Sequence, residues 1–469
     1  MKDSVHTAGV PLEWVTDNKR LDASYYGQES IEARVSIDEL RDQGVQIETV
    51  ESVTERIFRP SIHTREYTDE ESGEPYLTPT DMFMFPLEPR KYITNYPDGL
   101  KTEPGWLLIT CSGTVGRVNI SNEFLSECVL SQNLIRAVPE DGMLGYLYAY
   151  LNSWIGQAFL TQDEYGATVK HINPEHVADI PVPIFPDLVD QLSDQVEILW
   201  NDRSEAERIQ RKIKEKLHTD LGLSRVNELD PEYLVSEDSD APDTYTTTAN
   251  RLNSRLDAPY HKPIIQEIVE ILSNSTYQSV KLGDVIRRMF IPTRFKRPYV
   301  DGEANGIPFL SSTHLVQIKP LGVKYLWNNM DGIEDVLLNE GWILMSRSGT
   351  VGRIRIADEY IEDWAASEHV LRLIPEPDVH PGYIAAFLRS PYGQHQIEAK
   401  VYGAVVDQIA ERDTSLIEDI DILLPPDGVQ NEIGELVFES YERIGRANET
   451  ENDVVNLIED QLSDAGSEE

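Results

Sequence analysis

Two hydrophobic regimes alternate along the chain, and the alternation occurs twice. Unbroken apolar runs come first. GWLLIT at Gly105–Thr110 and GWILMS at Gly341–Ser346 are expected as buried strands, and RVNI (Arg117–Ile120) and RIRI (Arg353–Ile356) as the strands that follow them after a turn. GYLYAYL at Gly145–Leu151 and GYIAAFL at Gly382–Leu388 are rich in Leu, Ala and aromatics and predict short helices. The period then lengthens. After Pro186, apolar residues fall at Leu188, Leu192, Val196, Leu199, Ala206, Ile209, Ile213 and Leu217. After Pro426 they fall at Val429, Ile433, Leu436, Val437, Tyr441, Ile444, Ala447, Val454, Leu457, Ile458 and Leu462. Steps of three and four give one apolar stripe per helix. Asp187 and Asp427 sit where a short acid caps free N–H groups. A helix over Asp187–Leu217 would be ~46 Å long. Each helix has only one apolar face, so the two stripes are expected to pack on each other.

Both regimes belong to a tandem repeat. The hexapeptide SGTVGR stands at Ser112–Arg117 and again at Ser348–Arg353. Around it, RLDASYY (Arg20–Tyr26) answers RLDAPYH (Arg255–His261), ERIFRP (Glu55–Pro60) answers RRMFIP (Arg287–Pro292), and PYLTPTD (Pro75–Asp81) answers PFLSSTH (Pro308–His314). SQNLIRAVP (Ser131–Pro139) answers SEHVLRLIP (Ser367–Pro375), YGATV (Tyr165–Val169) answers YGAVV (Tyr402–Val406), and DIPVPIFP (Asp179–Pro186) answers DIDILLPP (Asp419–Pro426). A period of roughly 235 residues is a whole domain with its extension, not a solenoid unit. The expected fold is α+β: two pseudo-twofold-related α/β domains joined by two long helices that form an antiparallel coiled-coil spacer. The expected boundaries are 1–186 for the first domain, 187–217 for the first helix, 218–254 for a linker, 255–426 for the second domain and 427–463 for the second helix. SEDSDAPDTYTTT at Ser236–Thr248 is acidic, small and aperiodic, as a linker is.

A chain of 469 residues is long enough for two or three cores. No apolar run approaches the ~18 residues of a membrane span and no signal peptide is visible at the start, so a soluble, cytoplasmic protein is expected. The two cysteines, Cys111 and Cys128, form neither a disulfide framework nor a zinc motif, and a reducing cytosol is the simple reading. The formal net charge is −41, from 82 Asp plus Glu against 41 Lys plus Arg. The acids are spread along the whole chain. This favours adaptation to a halophilic cytoplasm, where molar salt shortens the Debye length to ~3 Å, over a concentrated acidic decoy.

Against that background the cations are placed selectively. Arg287, Arg288, Arg294, Lys296 and Arg297 cluster in the second half, and Arg56, Arg59 and Arg65 in the first. Cations retained in an acid-rich chain point to an anionic partner, with local ion pairing as the plain alternative. In SGTVGR, glycines three apart suit a tight hairpin turn. The turn could offer Thr114, Arg117, Thr350 and Arg353 to a backbone phosphate; Lys170 and Arg347 complete the candidate DNA-binding set. Catalytic signatures are poor: there is no P-loop, GxSxG or HExxH, and no amino-methyltransferase loop. Glu398-Ala399-Lys400 has a nuclease-like spacing without an upstream Asp. No catalytic residue and no metal ligand is assigned.

The order of these marks, repeated twice, resembles the specificity (S, HsdS-like) subunit of type I restriction–modification systems. They are Gly105–Ile120, Gly341–Ile356, Tyr165–Pro186 and Tyr402–Pro426, each Pro-ended strand leading into a long helix. RFKRPYV and the RLDA openings mark a divergent, methylation-associated phage-defence branch. The family's SGTTQPNI-like turn is altered here to YGATVKHI and YGAVVDQI. The resemblance implies that each globular half is a target-recognition domain reading one half of a split, asymmetric sequence in double-stranded DNA. It implies that the paired helices set the spacing and dock two DNA methyltransferase subunits, with restriction or translocase subunits as further partners. The stripe residues Leu188, Leu192, Val196, Leu199, Ile209, Ile213, Leu217, Ile433, Leu436, Tyr441, Ile444, Leu457 and Leu462 would carry that role. The chain itself would be non-catalytic and hold no cofactor; S-adenosylmethionine and ATP would belong to partner subunits. Two rivals stay open: an acidic DNA mimic or scaffold, and a stand-alone nuclease.

Overall fold

The computed structural model describes residues 9–18, 25–162, 170–223, 244–249, 252, 256–401, 409 and 414–467. The YGATV and YGAVV segments and most of the expected linker lie outside these. The chain divides into two compact units, 1–204 with 446–469, and 205–445.

In the first unit, helices α1 (Leu12–Asn18) and α2 (Gln28–Asp42) precede strands β1 (Gln46–Thr49), β2 (Thr54–Phe58), β3 (Glu66–Thr68), β4 (Glu74–Leu77), β5 (Lys91–Thr94), β6 (Leu107–Thr110) and β7 (Val118–Ile120). Then come α3 (Glu123–Glu127), β8 (Val129–Leu130), β9 (Leu134–Pro139), α4 (Leu144–Asn152), α5 (Trp154–Gln162), α6 (Pro174–Ala178) and β10 (Pro181–Ile184), which leads into α7 (Pro186–Leu221). The strands form a larger sheet of order β2-β9-β6-β7, a smaller sheet of order β3-β5-β4-β8, and the ribbon β1-β10.

The second unit repeats this plan. It runs α8 (Pro263–Ser273), β11 (Gln278–Lys281), α9 (Leu282–Val285), β12 (Ile286–Phe290), β13 (Tyr299–Val300), β14 (Gly306–Leu310), β15 (Lys324–Trp327), β16 (Ile343–Ser346), β17 (Ile354–Ile356), β18 (Ala365–Ala366) and β19 (Val370–Pro375). α10 (Pro381–Arg389), α11 (Pro391–Ala399), α12 (Ser415–Glu418), β20 (Asp421–Leu424) and α13 (Asp427–Ser467) complete it. Its sheets are β12-β19-β16-β17, β13-β15-β14-β18 and the ribbon β11-β20, matching the first unit strand for strand. In both, the last strand pairs antiparallel with the first and so closes the domain before the long helix leaves. The sequence repeat is therefore a repeat of fold.

The stripes of the two long helices pack on each other as expected, and they meet more than a helix. Leu188, Leu192, Val196 and Leu199 do not face a helix alone; they share one core with α4, α5, the larger sheet, and Ala447, Val454, Ile458 and Leu462 of α13. Ile209, Ile213, Leu217, Ile433, Tyr441 and Ile444 are buried too, and Leu436 and Leu457 half-buried. In the first unit the stripe also fastens the domain to the helices. In the second unit Gln210 meets Ser440 and Lys216 meets Glu432, at 2.6 and 2.9 Å, so numbers rise on α7 as they fall on α13 and the pairing is antiparallel. In the first, Asp202 meets Arg446 at 3.1 Å and Arg203 meets Glu451 at 2.5 Å.

The GY dipeptide that opens α4 and α10 has a physical reason. A Cβ on Gly145 would lie 2.5 Å from Ser193 Cα of α7, and one on Gly382 would lie 2.5 Å from Gly434 O of α13. The following tyrosines tie the short helices to the ribbons, Tyr146 to Pro183 O at 2.5 Å and Tyr383 to Leu423 O at 2.7 Å. Gly145→Val or Gly382→Val is expected to cost its unit about 1–3 kcal/mol by overpacking, measured as a lower midpoint in urea. Gly428→Ala, at a position with nothing within 4 Å, is the control expected to leave the midpoint in place.

Candidate nucleic-acid interface

Each SGTVGR segment is a hairpin turn, between β6 and β7 and between β16 and β17. Its glycines are required by the backbone: Gly113, Gly116, Gly349 and Gly352 have φ of 81, 85, 78 and 82°. The hydroxyl that ends the preceding strand closes the turn from inside. Thr110 Oγ1 donates to Thr114 O at 2.6 Å and accepts from Arg117 N at 3.0 Å. Ser346 Oγ does the same with Thr350 O and Arg353 N at 2.5 and 2.8 Å. A glutamine braces each turn from below. Gln157 Nε2 donates to Gly116 O and Gln394 Nε2 to Gly352 O, both at 2.9 Å. Two rigid loops result, with Thr114 and Thr350 exposed at their tips.

The candidate cations do not all share that surface. Arg56 and Arg288 are exposed and lie over Phe58 and Phe290, at 3.9 and 4.1 Å, on the strand ends away from the turns. Those rings in turn meet Trp106 and Trp342 edge-on at 5.7 Å. Arg287, Arg294, Lys296 and Lys170 are exposed. Arg59 turns inward, to Gln132 O at 3.0 Å and Asn133 Oδ1 at 3.3 Å. Arg117 packs 3.5 Å over Phe83, where burial brings its guanidinium down to about 10. Arg353 is half-buried.

Arg347 is a correction. It is 1% exposed and spends its donors on Glu368 O and Ile409 O at 3.3 Å, bracing the turn from within the unit rather than facing a ligand. Its counterpart in the first half is the equally buried Cys111, so the position before SGTVGR is an interior one in both copies.

The smaller sheets add residues that the spacing of cations did not reveal. Exposed Tyr67 carries Lys91 Nζ 5.4 Å from its ring, and exposed Tyr299 carries Lys324 Nζ at 5.0 Å. Tyr67 meets Tyr76 edge-on at 6.2 Å, and Tyr299 meets Phe309 at 6.1 Å. Arg65 lies over Tyr76 at 5.4 Å and Arg297 over Phe309 at 5.1 Å. Each half thus presents arginine, two aromatics and lysine in a row across three strands. Cation over aromatic, with one ring open to solvent, holds a cation in a fixed place and suits a polyanion. The pair KYIT and KYLW, at Lys91 and Lys324, was the available signal.

The turns differ in one neighbour. Ser348 Oγ is 2.7 Å from His369 Nδ1, and burial lowers the affinity of that imidazole for a proton. In the first half Asn133 stands in its place and is held by Arg59. Among the described residues no group of three or more His, Cys, Asp or Glu could hold a metal ion, and no helix is long and apolar enough to cross a membrane.

No curated protein matches the chain. Among solved structures it is similar to the crystal structure of a type I restriction-modification system S subunit from M. genitalium. That match has 13% identity and a TM-score of 0.39, and covers 90% of this chain and 96% of that one. The crystal structure of the HsdS subunit from Thermoanaerobacter tengcongensis is similar at 12% identity, 91% and 97% coverage and a TM-score of 0.28. At such scores the likeness is distant. The family model of the type I restriction modification DNA specificity domain matches residues 274–457, from the end of α8 through the second unit's sheets and into α13.

Proposed function

We propose that the chain is the DNA-specificity subunit of a type I-like restriction–modification or methylation system, and that each half reads one part of a bipartite, asymmetric target in double-stranded DNA. One observation carries this reading. The surface described above, a braced turn beside a row of cations and aromatics, occurs once in the half that matches the specificity family and once in the half that repeats its fold. Two linked readers raise each other's effective concentration and filter targets by spacing. Their unlike side chains call for unlike half-sites. In high salt the counterion-release contribution shrinks, so base-edge contacts carry more of the affinity. The same reading takes the spread acids as adaptation to a salty cytoplasm. Methyl transfer with S-adenosylmethionine and any ATP-driven cleavage fall to methyltransferase and restriction subunits docked on this chain, which itself does no chemistry.

Arg56→Ala is expected to weaken binding a few-fold and to lower the salt slope by about 1, as loss of one phosphate contact does. The loss should appear for probes that retain the first half-site and vanish where that half-site is scrambled. Arg288→Ala should do the same at the second. Competition binding with the methyltransferase partner present measures both. Equal losses on every probe would reject two independent readers. Methyltransferase binding without duplex affinity would favour the DNA mimic, and metal-dependent cutting by the purified chain a nuclease.

A further inference from the structure

The two halves have the same frame yet differ at one buried contact. In the second, Arg297 Nη2 donates to Glu368 Oε2 at 2.6 Å, and its guanidinium lies over Phe309 at 5.1 Å and beside Phe295 at 5.9 Å. In the first, Arg65 holds the equivalent place over Tyr76. The residue aligned with Glu368, through SQN and SEH, is Gln132. Here the contact is not made. Arg65 Nε and Gln132 Oε1 are both buried and find no hydrogen-bond partner among the described residues, and Gln132 is only 7% exposed. His63, which replaces Phe295, leaves both ring nitrogens in the same condition. One half holds its arginine by a carboxylate and a ring; in the other, among the described residues, the Tyr76 ring is present without the carboxylate.

We propose that position 132/368 sets how firmly each half holds the arginine it presents to DNA, with Glu368 as the positioning residue for Arg297, so that the second reader is stringent and the first permissive at the base this arginine meets. The inference rests on the DNA-reading function above. A guanidinium reads guanine by two parallel donations to N7 and O6, which requires a fixed plane. Glu368 takes one edge of the fork and Phe309 fixes its plane, while 30% of the Arg297 side chain stays exposed with donors to spare. Rotamer freedom removed before binding is not lost on binding. Arg65, without a carboxylate to hold it, still supplies charge to a nearby phosphate or base but selects less sharply among bases. A glutamate that only neutralised a buried charge would leave base choice untouched.

The test is selection from duplexes randomised at both half-sites, using the full chain with its methyltransferase partner. Gln132→Glu is expected to create the missing ion pair and to sharpen one base step of the first half-site by on the order of tenfold. Glu368→Gln is expected to flatten the equivalent step of the second half-site by a similar factor. Arg297→Lys, which keeps the charge pair and loses the fork, should flatten it too. Each variant should leave the other half-site unchanged, and thermal unfolding establishes that it is folded. Variants that select the wild-type sequence with wild-type stringency overturn the positioning role. A wild-type complex that selects no sequence overturns the DNA reading itself, and this inference with it.

Discussion

Methionine at Arg136 is expected to destabilise the first unit by about 3–5 kcal/mol, and Arg372→Met the second unit by as much, because each change strands several buried carbonyls at once. Both arginines are 0% exposed. Arg136 donates to Ser131 O and Leu134 O at 3.2 and 2.6 Å, and to Leu100 O and Leu130 O at 3.3 and 3.2 Å. Arg372 donates to Ser367 O, Val370 O and Ala366 O at 2.8, 2.5 and 2.6 Å. All but Leu100 O, which ends the turn before β6, come from the end of the smaller sheet, the start of the larger one and the loop between them, so one planar fork fixes the passage from sheet to sheet. Burial pulls the two guanidiniums down to about 10 and about 9, which is still charged at neutral pH. Lysine should not rescue, since a tetrahedral ammonium cannot reach the four acceptors around Arg136 or the three around Arg372 from one plane. Urea unfolding followed by hydrogen exchange in each unit separates the two losses. A change below about 1 kcal/mol would mean the carbonyls find other donors.

These arginines also mark where sequence reading stops. In LIRAVP and VLRLIP the arginine stands at an alternate strand position, which ordinarily faces water. What keeps it inside is a ring of carbonyls that only the folded loop assembles. Arg347 misled for the same reason: beside SGTVGR it reads as a surface cation, whereas the turn points it inward. Repetition, by contrast, was legible to the level of single turns. Glycines at positive φ, the strand-ending hydroxyl and the bracing glutamine all have to recur if the same hairpin is to form twice. The helical stripes were legible as period and as a helix pair, but not as part of a domain core. A stripe of Leu and Val carries no information on whether it meets a domain core as well as another helix, and here it meets both. Tyr67 with Lys91, and Tyr299 with Lys324, escaped because strand pairing, not sequence distance, brings them together.

Glu451→Gln is expected to cost the first unit a further kind of loss, about 3–5 kcal/mol, by leaving Arg203 buried without its carboxylate. Arg203 reaches Glu451 Oε2 at 2.5 Å, Asn448 Oδ1 at 3.2 Å and Tyr148 Oη at 3.1 Å, while Tyr148 donates to the same carboxylate at 2.7 Å. Burial alone would weaken the arginine's hold on its proton; Tyr148 and Glu451 outweigh it and push the guanidinium up. A buried pair is costly to break and cheap to replace, so Arg203→Met combined with Glu451→Leu should recover most of the loss. A double-mutant cycle in urea reads the coupling, and additive losses would show that the four groups do not act together. The network's value then lies in register rather than in net stability. In the second unit the buried seam contact is neutral, Gln210 to Ser440, with Arg389 donating to Gln210 and the Lys216–Glu432 pair lying near the surface. An α13 displaced by one turn along α7 would bury Arg203 away from Glu451, a penalty that an all-apolar seam would not impose. The double variant should therefore be nearly as stable as the wild type and, on the two-reader function proposed above, less exact in half-site spacing, which selection from duplexes of varied spacer length would reveal.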